Sequence, residues 1–375
     1  MLLYLGAART GGDRRDQCTL SPGGCDHGPV TTASPVLLPV NQFDHFYRGG
    51  DRIGALRHGP GGPQRPEEWL GSTTTRFGDP VQGLSVLPDG RYLRDAVIAD
   101  PVAWLGPAHV DRYGTSVEVL VKFLDLGQRL PVHLHPNREF ARTHLGLAHG
   151  KTEAWYVLDA PPGARVGVGF AESMALADVA AMVAAHDSQG LLDSLRTREV
   201  RAGDAMLVPA GLPHTVQEGV FVLELQEPTD LSILLEWQDF AVDGDRDGHL
   251  GLGFDAALQA VDTSAVSDSD LDRLVVRRED IARAGLTSAL PREADAYFRA
   301  QQLDTSDAPV TVDAGFAVVA VLNGAGTITT PAETVAVSRG DVLVLPHAAG
   351  DWIADGALVA VACRPPAPDA PTGAR

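Results

Sequence analysis

Cysteine is scarce: Cys18, Cys25 and Cys363 are the only three in 375 residues. So few in a chain this long make no disulfide scaffold. A Cys18–Cys25 pair, as a disulfide or as zinc ligands, would fall in a Gly- and Arg-rich stretch with little apolar periodicity, and none is expected. Basic residues are also short, with 30 Lys and Arg against 49 Asp and Glu. The resulting formal charge of -19 opposes binding to a polyanion, so no nucleic-acid partner is expected. Long apolar runs are missing too. No stretch approaches the roughly 18 apolar residues that a membrane helix needs. "MLLYLGA" is too short a run, and too soon followed by charge, for a secretory signal. A reducing cytoplasm is the expected setting.

Composition is otherwise that of a globular chain, 44% hydrophobic and 21% charged, long enough for two or three packed domains. Residues 1–33, with "ARTGGDRRDQ" and "SPGGCDHGP", carry neither helix nor strand period. They are expected to be a disordered extension, with translation starting near Val30. From Pro35 onward, short apolar runs alternate with Gly, Pro and Asp. "SVEVLVKFLDL", "AWYVLDA", "DAMLVPAG", "GVFVLELQ" and "LSILLEW" each predict a strand of about five to eight residues. Many short strands between turn signals point to an all-β sandwich or barrel.

One stretch breaks that pattern. "AESMALADVAAMVAAHDSQGLLDSL" is Ala- and Leu-rich, with Leu176, Val179, Met182 and Val183 at helical spacing, and predicts a helical insertion at about 171–195 that packs on the sandwich. Residues 246–300 hold two further helical patterns and are expected to form a helical connection. Strands return from 301 to 366, ahead of a short tail at 367–375. "RGDVLVLPHAAG" echoes "RAGDAMLVPAGLPH": both place Gly-Asp at a turn, then an apolar strand, then Pro and a Gly-containing loop. That internal repeat predicts two related β domains. The second copy has no His-x-His pair, so His347 is expected to be a loop residue.

In "LPVHLHPNREF", His133 and His135 are two apart in a strand-like run, so they share a face. Two imidazoles on one face can hold a metal or can be two polar residues on a wet sheet. Glu153 in "GKTEAWY" and His214 in "VPAGLPH" begin or end other apolar runs of the same predicted sheet system, and metal sites in β folds draw N and O ligands from several strands.

"GQRLPVHLHPNREFARTHLG" with "GDAMLVPAGLPH" resembles the two cupin motifs. More narrowly, "VKFLDLGQRLPVHLHPNREFA", "GKTEAWYVLD", "GDAMLVPAGLPHTV" and "LELQEPTD" resemble the type I mannose-6-phosphate isomerases, over most of residues 35–365. The resemblance implies an all-β-dominated fold of two cupin-like jelly-roll sandwiches, with a metal-binding domain at 34–245 and a second at 301–366. It implies one divalent ion, usually zinc, held by His133, His135, Glu153 and His214, with His133 where the family has Gln. The general cupin pattern would use Glu139 as the carboxylate instead. The implied reaction is aldose–ketose exchange through an enediol, with Glu224, Asp230 and Lys151 as catalytic candidates, and a monomer or homodimer acting on a sugar or sugar phosphate.

Two departures stand out. The family arginine falls on Leu234 and its phosphate-contacting serine on Pro131. Leucine offers no charge, and proline neither hydroxyl nor N–H. The cations near the motif are Lys151, Arg138 and Arg142, and the resemblance places only Lys151 beside the metal. The expectation is therefore a less anionic sugar than a standard hexose 6-phosphate, or a slow or lost reaction. The alternatives are ordinary mannose-6-phosphate isomerisation with another basic residue in place of the arginine, a non-catalytic sugar-binding or regulatory metal cupin, and a cupin dioxygenase or epimerase.

Overall fold

The computed structural model describes residues 30–59, 61–281 and 284–370. Cys18, Cys25 and most of the expected extension lie outside them. Three antiparallel sheets make up the β structure. The first runs, in spatial order, Val275–Val276, Ala205–Val208, Glu153–Asp159, Phe221–Gln226, Leu120–Asp125 and Glu67–Leu70. The second runs Ile233–Leu234, His133–Leu134, His214–Val216, Arg165–Phe170 and Leu195–Glu199. These two face each other as a sandwich. The third, of eight strands, is built mainly from the C-terminal part of the chain around Ala317–Thr329 and Trp352–Arg364.

The first sheet is buried on both faces, which is why its strands read as near-continuous apolar runs. Val121, Phe123, Ala154, Tyr156, Leu223 and Leu225 point away from the sandwich, into a core shared with Val318, Ala320, Val344 and Val361 of the third sheet. Leu124, Trp155, Val157, Met206 and Val222 point the other way, onto Val166, Val168 and Val216 of the second sheet. Alternation therefore sends Lys122, Glu153 and Glu224 into the sandwich interior, on the same rows as those apolar side chains. Their end of the sandwich is polar.

Residues 171–195 contain two helices, Leu176–Ala184 and Ser188–Ser194. Val179, Val183 and Leu191 bury against Val132, Leu134, Phe170 and Ile233, on the back of the sheet that carries the histidines. Three details differ from the sequence expectation. Val36–Leu37 pairs with Val342–Leu345, so the first strand among the described residues joins the C-terminal sheet. The stretch 246–300 also supplies Val275–Val276 to the first sheet and Gly285–Ser288 to the third. "LSILLEW" holds a strand of only two residues, Ile233–Leu234. Pieces this short have no measurable period, and their pairing is set by distant partners.

Candidate metal centre

His133 opens a two-residue strand and sits directly opposite His214 in the neighbouring strand. His135 follows on the same face. The ring centroids lie 4.1–4.9 Å apart, and one ligating atom from each falls within 4.8 Å of the others. All three rings are held in the same way, by Nδ1. His133 Nδ1 bonds Pro131 O at 2.8 Å, His135 Nδ1 bonds Leu231 O at 2.6 Å, and His214 Nδ1 bonds Leu212 O at 2.8 Å. A carbonyl only accepts, so each Nδ1 carries the proton and each Nε2 presents a bare lone pair. That is the arrangement in which metal-binding histidines are held from behind.

Glu153 begins the facing strand. Its carboxylate lies 3.0 Å from His135 Nε2 and 3.4 Å from His214 Nε2, at ion-pair distance but with Glu153 Oε2 and His214 Nε2 making no hydrogen bond. Buried polar atoms without partners are rare and call for a reason; a divalent cation would satisfy both. Glu139, the other carboxylate candidate, is exposed on the short Arg138–Phe140 helix. Gly150 keeps the two motifs together: a Cβ there would meet Pro136 O at 2.5 Å. This close approach lets the Lys151 N–H donate to Pro136 O at 3.0 Å, tying the Lys151–Glu153 segment to the histidine loop.

Electrostatics favour ligation. Burial, then the neighbouring histidines, hold His133 well below the usual imidazole value. Burial and the Lys151 ammonium bring His135 down to about 3. Burial alone would raise Glu153, yet Lys151 and His135 keep it well below the carboxylate range. Among the candidate ligands, His133 and His135 are therefore neutral imidazoles and Glu153 an ionised carboxylate at neutral pH, the forms that bind metal. Lys151 Nζ lies 2.9 Å from His135 Nε2 and 3.1 Å from Glu153 Oε2, bringing positive charge to the same lone pairs.

Around this cluster lies a cavity of about 110 Å³. Its walls bring together the catalytic candidates Glu224, Asp230 and Lys151 and the substituted position Leu234. Glu224 faces Lys122 across two paired strands. Burial and the charge of Glu153 raise the Glu224 carboxyl above the usual range. Arg138 and Arg142 are not part of the wall: Arg138 ion-pairs with Glu227 and Arg142 is exposed.

Several cavity residues had escaped the sequence reading. Lys122 is buried, 3.1 Å from Glu67 and 3.5 Å from Asp230, with its ammonium 4.5 Å from the Trp69 ring centre. Burial alone would lower its pKa, but Glu67, Glu224 and Asp230 raise it. One signal was available, since it is the sole cation inside "SVEVLVKFLDL" and a lysine there must be paired to be buried. His45, Tyr47, Glu67 and Arg76 also line the cavity, and no motif marks them.

No family model matches the chain. It is 28% identical over 334 residues to mannose-6-phosphate isomerase of Streptococcus mutans, covering 88% of this chain and 98% of that one. It is 27% identical to mannose-6-phosphate isomerase ManA of Bacillus subtilis, covering 65% of this chain and 73% of the other. The crystal structure of a Bacillus subtilis mannose 6-phosphate isomerase superposes with a TM-score of 0.65 at 21% identity, over 88% and 99% of the two chains. A phosphomannose isomerase variant from Salmonella typhimurium gives 0.67 at 16%, over 89% and 100%. At those identities the structural matches speak for the fold. Sandwich and histidine cluster together define a cupin with a candidate metal centre. Its sequence likeness to the Streptococcus mutans mannose-6-phosphate isomerase runs nearly end to end.

Proposed function

We propose that the chain is a metal-dependent sugar isomerase that exchanges an aldose with its ketose through an enediol. One observation carries this: His133, His135 and the ionised Glu153, packed against His214, share a cavity with a raised carboxyl, Glu224, and two lysines. A structural metal site needs the ligands but has no use for the rest.

His133, His135, Glu153 and His214 would hold the ion, and the chemistry it supplies is polarisation of the sugar oxygens. The chain's own groups account for the proton and the charge. Glu224, whose buried Oε1 makes no hydrogen bond, is placed to take the C2 proton of the aldose and return it to C1. In its ionised form, a carboxyl raised by burial is a stronger base than one in water. Lys122 and Lys151 keep positive charge beside the developing enediolate, as preorganised groups that need no rearrangement. Asp230, held by Lys122 and by the Phe77 N–H at 3.3 Å, fixes the far wall.

The expectation of a less anionic sugar rested on leucine at 234 and proline at 131. Lys122 and Arg76, which line the same cavity as Leu234, favour a phosphorylated sugar in our reading. The test is metal analysis, with NMR detection of aldose–ketose exchange on phosphorylated and free sugars. Exchange on at least one sugar, abolished together with the metal in His133→Ala/His214→Ala, is the expected result. Stoichiometric metal with no exchange on any sugar would leave the non-catalytic cupin instead.

A further inference from the structure

The cavity around the histidines, about 110 Å³, is small for a whole sugar phosphate; ligand pockets are typically ~300–1,000 Å³. A second cavity of about 570 Å³ adjoins it, and Arg76 and Asp230 line both. The outer wall is polar, with Thr73, Thr74, Thr75 and Ser116 among its residues. Arg76 stands on the loop after Glu67–Leu70. Its guanidinium donates to Gln82 Oε1 at 3.2 Å and Asp44 O at 3.4 Å, both neutral acceptors. Among the described residues no carboxylate forms an ion pair with it. Asp230, the acid shared by the two cavities, is instead engaged by Lys122 and by the Phe77 N–H. Other arginines near cavities are taken: Arg94 pairs with Asp95, Arg201 with Glu199 and Arg277 with Asp204.

We propose that Arg76 binds the anionic end of the substrate, a phosphomonoester, where the two cavities meet. It takes over the electrostatic task that leucine at 234 does not perform, from a different segment of the chain. Guanidinium suits this because it bonds phosphate oxygens in pairs and keeps its charge when partly buried. The substrate class, a sugar phosphate with its reacting carbons at the histidines and its phosphate outward, rests on the isomerase reading above.

The test compares the metal-loaded wild type with Arg76→Gln and Arg76→Lys on mannose 6-phosphate and on free mannose, alongside direct titration of inorganic phosphate by ³¹P NMR. Loss of one charge-assisted contact predicts a roughly 10- to 100-fold fall in kcat/KM for the phosphorylated sugar. The fall should sit mainly in KM, with partial rescue by lysine, unchanged metal content and an unchanged rate on free mannose. Phosphate binding should weaken in parallel. Equal losses on both sugars, no loss, or phosphate binding unaffected by Arg76→Gln would overturn the proposal. A wild type that binds phosphate through Arg76 yet exchanges no sugar would overturn the isomerase reading and keep the anion site. A wild type that exchanges only free sugars and binds no phosphate would do the reverse.

Discussion

Leu234 lies directly opposite His133 in the pairing of Ile233–Leu234 with His133–Leu134, and its buried side chain faces the cavity that Lys122 and Arg76 also line. An arginine at this position would therefore reach the candidate metal centre itself. Leu234→Arg is expected to raise kcat/KM on the phosphorylated sugar while lowering stability by about 1–3 kcal/mol, the cost of burying a polar group with incomplete partners. Steady-state kinetics with chemical denaturation would check both. A stable variant without gain would mean that Arg76 and Lys122 already supply the charge.

The carboxylate ligand is Glu153 rather than Glu139 in our proposal. Metal affinity should fall by at least ~10–100-fold in Glu153→Gln, since even outer partners of ligands are worth that much. Glu139→Gln, altering an exposed side chain, should bind metal like the wild type. Metal content after dialysis against a weak chelator distinguishes the two, and the opposite pattern would move the site to the loop carboxylate.

Lys122→Met should lower kcat about 100-fold or more, the loss typical of one preorganised charge-stabilising group, without removing the metal. It also breaks a buried charge pair. We expect a stability loss of about 3 kcal/mol, the low end for such a break, because Tyr47 and the Trp69 Nε1–H still donate to Glu67. Retained activity on any sugar at the wild-type rate would remove Lys122 from the mechanism.

Acid stability should depend on Glu67. Burial alone would raise its pKa, but His45, Lys122, Tyr47 and Trp69 together bring the folded value well below the ordinary 4.5. A depressed carboxyl contributes stability that is fully present above about 4.5 and is lost as the pH falls toward the folded value. Denaturation between pH 6 and roughly 3 should therefore show the wild type losing stability faster than Glu67→Gln. The difference should grow by at most ~1.4 kcal/mol per pH unit. Parallel curves would contradict the assignment.

The sequence by itself determined the strands of the sandwich and the helical insertion, because an alternating or 3.6-residue apolar period states which side chains must be buried. It also placed His133, His135, Glu153 and His214 at strand ends, through short motifs that keep their geometry locally. Only the tertiary structure decided what surrounds them. Lys122 had no role in the sequence reading; its place became visible when two strands and a loop brought Glu67, Glu224 and Asp230 around it. Arg76 became a cavity residue because a loop with no motif lies between the histidine site and the outer cavity. The resemblance already favoured Glu153 over Glu139, and the burial of Glu153 on the facing sheet beside an exposed Glu139 supports that proposal. A period fixes the face on which a side chain stands, but the partner of that face comes from residues far away in the chain. Charge pairing depends on that partner, since a carboxylate or ammonium is tolerated inside only where an opposite charge arrives from another strand.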